Sequence, residues 1–184
     1  QKTLNQPTEI KPKIDSSKKI NIYAGTNENT DLSNFAIRPF KSLDPSLEEE
    51  IDFKSVEQAF QYFKTQSTDP KSEKDVHELG DIQNKILATT NGGILRTLGK
   101  SIKNFDSKNW DNHSSKLMKT LLKQSFEQNP EALNKLLATG NAELTHTQDK
   151  GKWGTEFPKL LMEVRQALSN QNTQEQEVQN LKIL

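Results

Sequence analysis

Residues 54–64, KSVEQAFQYFK, set a carboxylate, Glu57, and an ammonium, Lys64, seven residues apart. On a helix seven steps fall roughly 20° short of two full turns, so both side chains share one face, with Gln61 between them. A carboxylate and an amine held this way could move a proton and attack an electrophilic carbon. The ordinary reading is an acid in the first turn and a base in the last, complementing the helix dipole on a solvated face.

Other residues able to do chemistry are sparse. The chain has no cysteine, which rules out disulfides, thiolate zinc sites and cysteine nucleophiles. His77, His113 and His146 are far apart and lack metal-ligand spacing, so no metal is expected. Asn91-Gly92-Gly93 does not fit a phosphate-binding loop. Glu48-Glu49-Glu50 reads as a solvated strand entry rather than a cation site. Arg38, Arg96 and Arg165 are the three arginines among 25 basic residues, and each suits either a phosphate or a structural pair. Trp110 and Trp153 sit in polar stretches, NFDSKNWD and DKGKWG, where an indole can plug the surface or stack a base or sugar. Trp153 followed by Gly154 in a Lys/Gly-rich loop suits a ligand wall.

The elements that must position these groups follow from periodicity. Val56, Ala59, Phe60 and Phe63 form a helical stripe, with Ser55 as N-cap and Gln58 completing a capping-box pattern. INIYAG (20–25) reads as a strand, and FAIRPF (35–40) and EIDFK (50–54) as a pair of strands. Further helices are expected over Val76–Leu87, Ile94–Ile102, from Asp111 or Asn112 to Phe126, from Pro130 to Thr139, and from Pro158 to Leu168. The fold class is α+β, predominantly helical with a small antiparallel sheet, as one domain over residues 20–168. Polar tails are expected over residues 1–19 and 169–184, which accounts in part for the low hydrophobic content of 31%.

Equal numbers of acidic and basic residues, 25 each, argue against broad binding to duplex nucleic acid. No run of 18 apolar residues suggests a membrane span. The chain opens on Gln rather than Met, so its native N-terminus is expected upstream or removed.

DLSNFAIRPF, FKSVEQAFQYFK, ILRTLGKSI, KNWD, LLATGNAEL, WG and LLMEVR, in that order, closely resemble the NADAR (YbiA-like) family from about Ile20 to Leu168. The resemblance implies an N-glycosidase that cleaves bonds between a base-type nitrogen and ribose. It implies ADP-ribose on guanine as substrate, with phosphorylated ribosylamino intermediates of riboflavin synthesis, or an ADP-ribose-binding module without turnover, as alternatives. By position it makes Glu57 the essential acid/base and Lys64 the nucleophile of a Schiff base, with direct attack by water left open. It assigns Ser33, Asn34 and Phe35, and the tryptophans Trp110 and Trp153 with Gly154, to substrate. Arg38 and Lys100 are expected at phosphates. The implied ligand is ADP-ribose or a ribosyl phosphate, carried on single-stranded nucleic acid where the base is polymeric. Neither a cofactor nor a membrane is expected, and the enzyme is expected to be a cytoplasmic monomer. Two departures border the implied pocket. Lys150 stands where the family carries an acid, with Asp149 one place earlier, and GTEFPK replaces a longer loop before LLMEVR.

Overall fold

The computed structural model describes residues 14–26 and 29–183. Ten regular elements follow in the order β1 (Asp15–Asn21), β2 (Phe40–Asp44), β3 (Glu49–Phe53), α1 (Val56–Lys64), α2 (Glu73–Leu87), α3 (Gly92–Lys100), α4 (Ser107–Glu127), α5 (Pro130–Ala138), β4 (Ala142–Thr145) and α6 (Lys152–Lys182). Short 3-10 turns at Ala24–Thr26 and Thr30–Leu32 lie between β1 and β2. The fold is the expected α+β, mostly helical. No described helix is long and apolar enough to cross a membrane.

α1 is the axis of the core. Val56 through Phe63 are all buried, so this helix is covered on every side by α2, α3, α4 and β3 rather than along one stripe. Around it pack Phe53, Ile86, Leu95, Leu121, Leu122, Phe126, Leu161 and Val164, each at 1% exposure or less. Ser55 caps the helix as its spacing predicts, its side chain accepting the Gln58 N–H at 3.1 Å. The reciprocal arm of the box differs. Gln58 Oε1 accepts the Lys54 N–H at 2.8 Å, and its Nε2 donates to the carbonyls of Ile86, Leu87 and Thr89. One buried amide thereby joins the end of β3, the start of α1 and the end of α2.

Two strand pairs flank the helices. β2 and β3 are antiparallel, with Phe40 opposite Phe53 and Asp44 opposite Glu49. FAIRPF is therefore not a strand: the strand starts at its last residue, after a turn at Asn34 and Phe35, and Arg38 reaches inward to the carbonyls of Asp31 and Ser33. β1 and β4 form a parallel pair with a register shift between Asp15 and Lys19. β1 begins inside the stretch read as an N-terminal tail and ends at Asn21, where INIYAG was expected to continue. Residues 1–13 lie outside the described residues.

Two helices start earlier than periodicity indicates. Asp106, not Asp111 or Asn112, caps α4, its carboxylate accepting the Asn109 N–H, so Trp110 sits in the first helical turns. α6 starts at Lys152, which places Trp153 and Gly154 on the helix and Pro158 inside it. α6 also continues to Lys182 through the Gln/Asn-rich stretch read as a tail. Residues 169–182 are exposed, and a helix already nucleated in the core propagates through Gln and Glu at little cost.

Replacing Gln58 with Ala leaves one N–H and three carbonyls of the interior without their partner. Urea unfolding should show a loss of about 3 kcal/mol, against about 1 kcal/mol for a single exposed hydrogen bond.

Candidate active site

The loop Ser33–Phe35 and the first turn of α1 are clipped together twice. The Glu57 N–H donates to the Asn34 carbonyl at 2.9 Å, and Asn34 Nδ2 donates to Glu57 Oε2 at 2.7 Å. One turn along α1, Gln61 Nε2 donates to Glu57 Oε1 at 2.9 Å. Gln61 is itself held by α3: a Cβ added at Gly99 would lie 1.9 Å from Gln61 Oε1. Glycine there lets α3 press directly on the amide that orients the carboxylate.

Glu57 is only 5% exposed. Burial drives its pKa above the usual carboxylate range, against the hydrogen bond from Gln61, the charge of Arg96, the hydrogen bond from Asn34 and the charge of Lys64. Each carboxylate oxygen receives one amide N–H and keeps a further lone pair free for a ligand. A carboxyl group held above its usual range in this way is suited to taking up and releasing a proton during a reaction.

What exposure Glu57 has is onto a cavity of about 400 Å³. Asn34, Gln61 and Arg96 supply further polar lining, and Tyr23, Phe35, Phe60, Trp153 and Phe157 supply aromatic surface. Phe60 and Trp153 meet edge to face at 5.3 Å between ring centroids. Arg96 lays its guanidinium 4.8 Å from the Phe35 ring centroid. The loop after β4 adds His146, Gln148, Asp149 and Lys150.

Asn34, Phe35, Glu57, Asp149 and Trp153 thus converge as the sequence suggested, and Lys150, the departure from the family pattern, lies with them. Ser33 stands behind this lining: its hydroxyl accepts the Phe35 N–H at 3.1 Å and fixes the loop. Gly154 is also in support. A Cβ there would fall 2.0 Å from the Asp149 carbonyl oxygen, so the loop after β4 rests directly on the first turn of α6.

Four expected site residues sit elsewhere. Arg38 is buried, donating from Nε to Ser125 Oγ and from Nη1 to the carbonyls of Asp31 and Ser33, with its guanidinium 4.4 Å from the Phe126 centroid. Burial lowers its pKa to about 10, with Asp31 opposing. It organises the loop that carries Asn34 and does not line the cavity. Trp110 lines a separate cavity and braces Phe60 from behind at 4.8 Å between ring centroids. Lys100 is exposed on α3, one turn beyond Arg96. Lys64 also lies outside the cavity lining, its Nζ 5.0 Å from the Phe105 centroid. Its pKa is lowered by burial, raised by Glu57 and lowered again by Lys100.

Tyr23, Arg96, His146 and Phe157 were not singled out for the site by their spacing, since four different parts of the chain deliver them. Arg96 had a signal in being one of three arginines, and Gln61 in sharing the Glu57 face.

Residues 22–180 match the NADAR domain family. N-glycosidase YbiA of Escherichia coli is 30% identical over 159 residues, covering 82% of this chain and 88% of that protein, and YbiA of Shigella flexneri matches equally. The NMR structure of the Escherichia coli protein YbiA superposes with a TM-score of 0.65 at 26% identity, covering 90% of this chain and 92% of the other. A match over most of its length makes this chain a member of the NADAR domain family.

Proposed function

We propose that this chain is an N-glycosidase that hydrolyses the bond between a base-type nitrogen and the anomeric carbon of ribose, with ADP-ribose on guanine as its substrate. The observation that carries the reading is Glu57, a carboxyl group kept buried by Asn34 and Gln61 at the wall of an aromatic cavity. A site that only binds has no need of such a group. Departure of the base builds positive charge on the anomeric carbon, which Glu57 stabilises when ionised, and Glu57 then takes a proton from the attacking water. Phe60 and Trp153 offer surfaces for base or ribose, and Asn34 a hydrogen bond to the sugar. A nucleic-acid substrate would present its base from a single strand, because the cavity admits one nucleotide-sized group.

In the covalent version Lys64 attacks the anomeric carbon and water later releases the sugar. Its lowered pKa favours that role, while its place over Phe105 requires the side chain to swing toward the cavity. A second substrate reading, a phosphorylated ribosylamino intermediate of riboflavin synthesis, is favoured by cavity size. About 400 Å³ lies near the small end of ligand sites, roughly 300–1,000 Å³, and encloses a base and ribose but leaves a second nucleoside outside.

Incubation with an ADP-ribosylated guanine oligonucleotide, followed by mass spectrometry, should show release of ADP-ribose by the wild type. Glu57→Ala should lower the rate by 10²-fold or more, about the contribution of a positioned acid–base group. Loss of turnover in Lys64→Ala would support the covalent version; retention would leave direct attack by water. No release by the wild type would move the test to the ribosylamino substrate.

Glu57 also fixes the sign of a pH effect. Its folded pKa is raised, so folding favours the protonated form and the ionised form is held at a loss of stability. Glu57→Gln should therefore raise the thermal midpoint at pH 7, and the gain should vanish below the unfolded carboxylate pKa, where both side chains are neutral. Unfolding scans at pH 7 and pH 4 measure it. The wild-type kcat/KM should fall on the acid side as Glu57 is protonated, and that fall should be absent from whatever residual activity Glu57→Gln retains.

A further inference from the structure

His146, the first residue after β4, lines the Glu57 cavity and has no part in the chemistry above. Its ring is held between Tyr23 and Phe157, at 6.0 and 5.9 Å between centroids. Nδ1 is buried with no hydrogen-bond partner, so of the two ring nitrogens Nε2 is the one available to a ligand in the cavity that His146 lines. A buried N–H without an acceptor is among the rarest features of folded proteins, so the single proton of a neutral imidazole belongs on Nε2. The charged form would require a proton on Nδ1 in that dry position. Burial accordingly lowers the His146 pKa, Asp149 raises it and Arg96 lowers it again, and these two are the charges that act on the ring.

We propose that His146, as the neutral Nε2–H tautomer, donates a hydrogen bond to a carbonyl oxygen of the departing base and so selects bases that carry one. The inference rests on the glycosidase reading. When the C–N bond breaks, its electron pair moves onto the base and spreads to that acceptor atom. A donor aimed there gains strength as the charge develops. His146 keeps its own proton throughout. The hydroxyl of the released sugar comes from water, and the proton that neutralises the base is the one water gives up through Glu57.

Three variants separate this role from packing. His146→Phe keeps the ring between Tyr23 and Phe157 but has no donor; kcat should fall by roughly 10²-fold, as on removal of a single oxyanion donor, with KM changing less. His146→Gln, whose amide reaches the Nε2 position, should recover much of the loss, and His146→Asn, which reaches only the Nδ1 position, should not. Equal activity of the Phe variant and the wild type, or rescue by Asn rather than Gln, overturns the proposal. Calorimetric titration gives an answer that does not need turnover. Guanosine, which has the O6 acceptor, should bind the wild type and the Gln variant more tightly than 2-aminopurine riboside, which lacks it, and the Phe variant should not discriminate. Wild-type discrimination without turnover would remove the glycosidase reading and leave the donor standing, whereas turnover without discrimination would do the reverse.

Discussion

A helix covered on all sides must find partners within the protein for every polar side chain it carries. Four of those on α1 are buried, Glu57, Gln58, Gln61 and Tyr62, and each dictates something about its surroundings. Gln58 requires the ends of β3 and α2 to meet at its amide. Tyr62 donates to Asp44 at 2.7 Å, which brings the β2–β3 turn onto the helix. Glu57 and Gln61 require Asn34 on one side and a glycine of α3 on the other. Burying a carboxyl group is costly unless it is hydrogen-bonded, so the chain around α1 is arranged as much by these polar demands as by apolar contact.

The same demands link fold to site. Asp44 illustrates the first half: burial would raise its pKa, but hydrogen bonds from Ser46, Tyr62 and Gln66 prevail and hold it below the usual carboxylate range. Glu57 illustrates the other half. It has two amide donors, and burial prevails over them. Two carboxylates of one core are thus tuned in opposite directions by how deeply each is desolvated and how many donors it is given. The first has the character of a structural anchor and the second that of a reactive group.

Much of this was legible in the sequence where the signal is local. The stripe of α1, its Ser55 cap and the shared face of Glu57, Gln61 and Lys64 follow from spacing alone. What spacing cannot give is which way a long side chain turns at the end of a helix, and Lys64 lies over Phe105 for that reason. α6 was read as starting at Pro158 because proline favours a first turn, although Trp153 and Phe157 continue the stripe of Leu160, Leu161, Val164 and Leu168 backwards. α4 was placed late because its first turns carry one inward aromatic, Trp110, among polar residues. β4 was not expected, and β1 only in its last two residues, at the start of INIYAG, because a short parallel pair between chain segments so far apart has no local signature. His146 follows β4 directly, and Tyr23, although inside INIYAG, has no local sign of the histidine it faces, so that part of the site was hidden.

Pro158 has no N–H, so the helical bond to the Gly154 carbonyl cannot form. The first turn of α6, with Trp153, is therefore joined to the core-bound turns beyond it by one fewer backbone bond than an unbroken helix would have. Leu161 and Val164 are fully buried, so their amides should be the better protected against hydrogen exchange and those of the first turn the earlier to open. The proline sets a joint within one continuous helix, between an aromatic wall for the cavity and the beam that carries it.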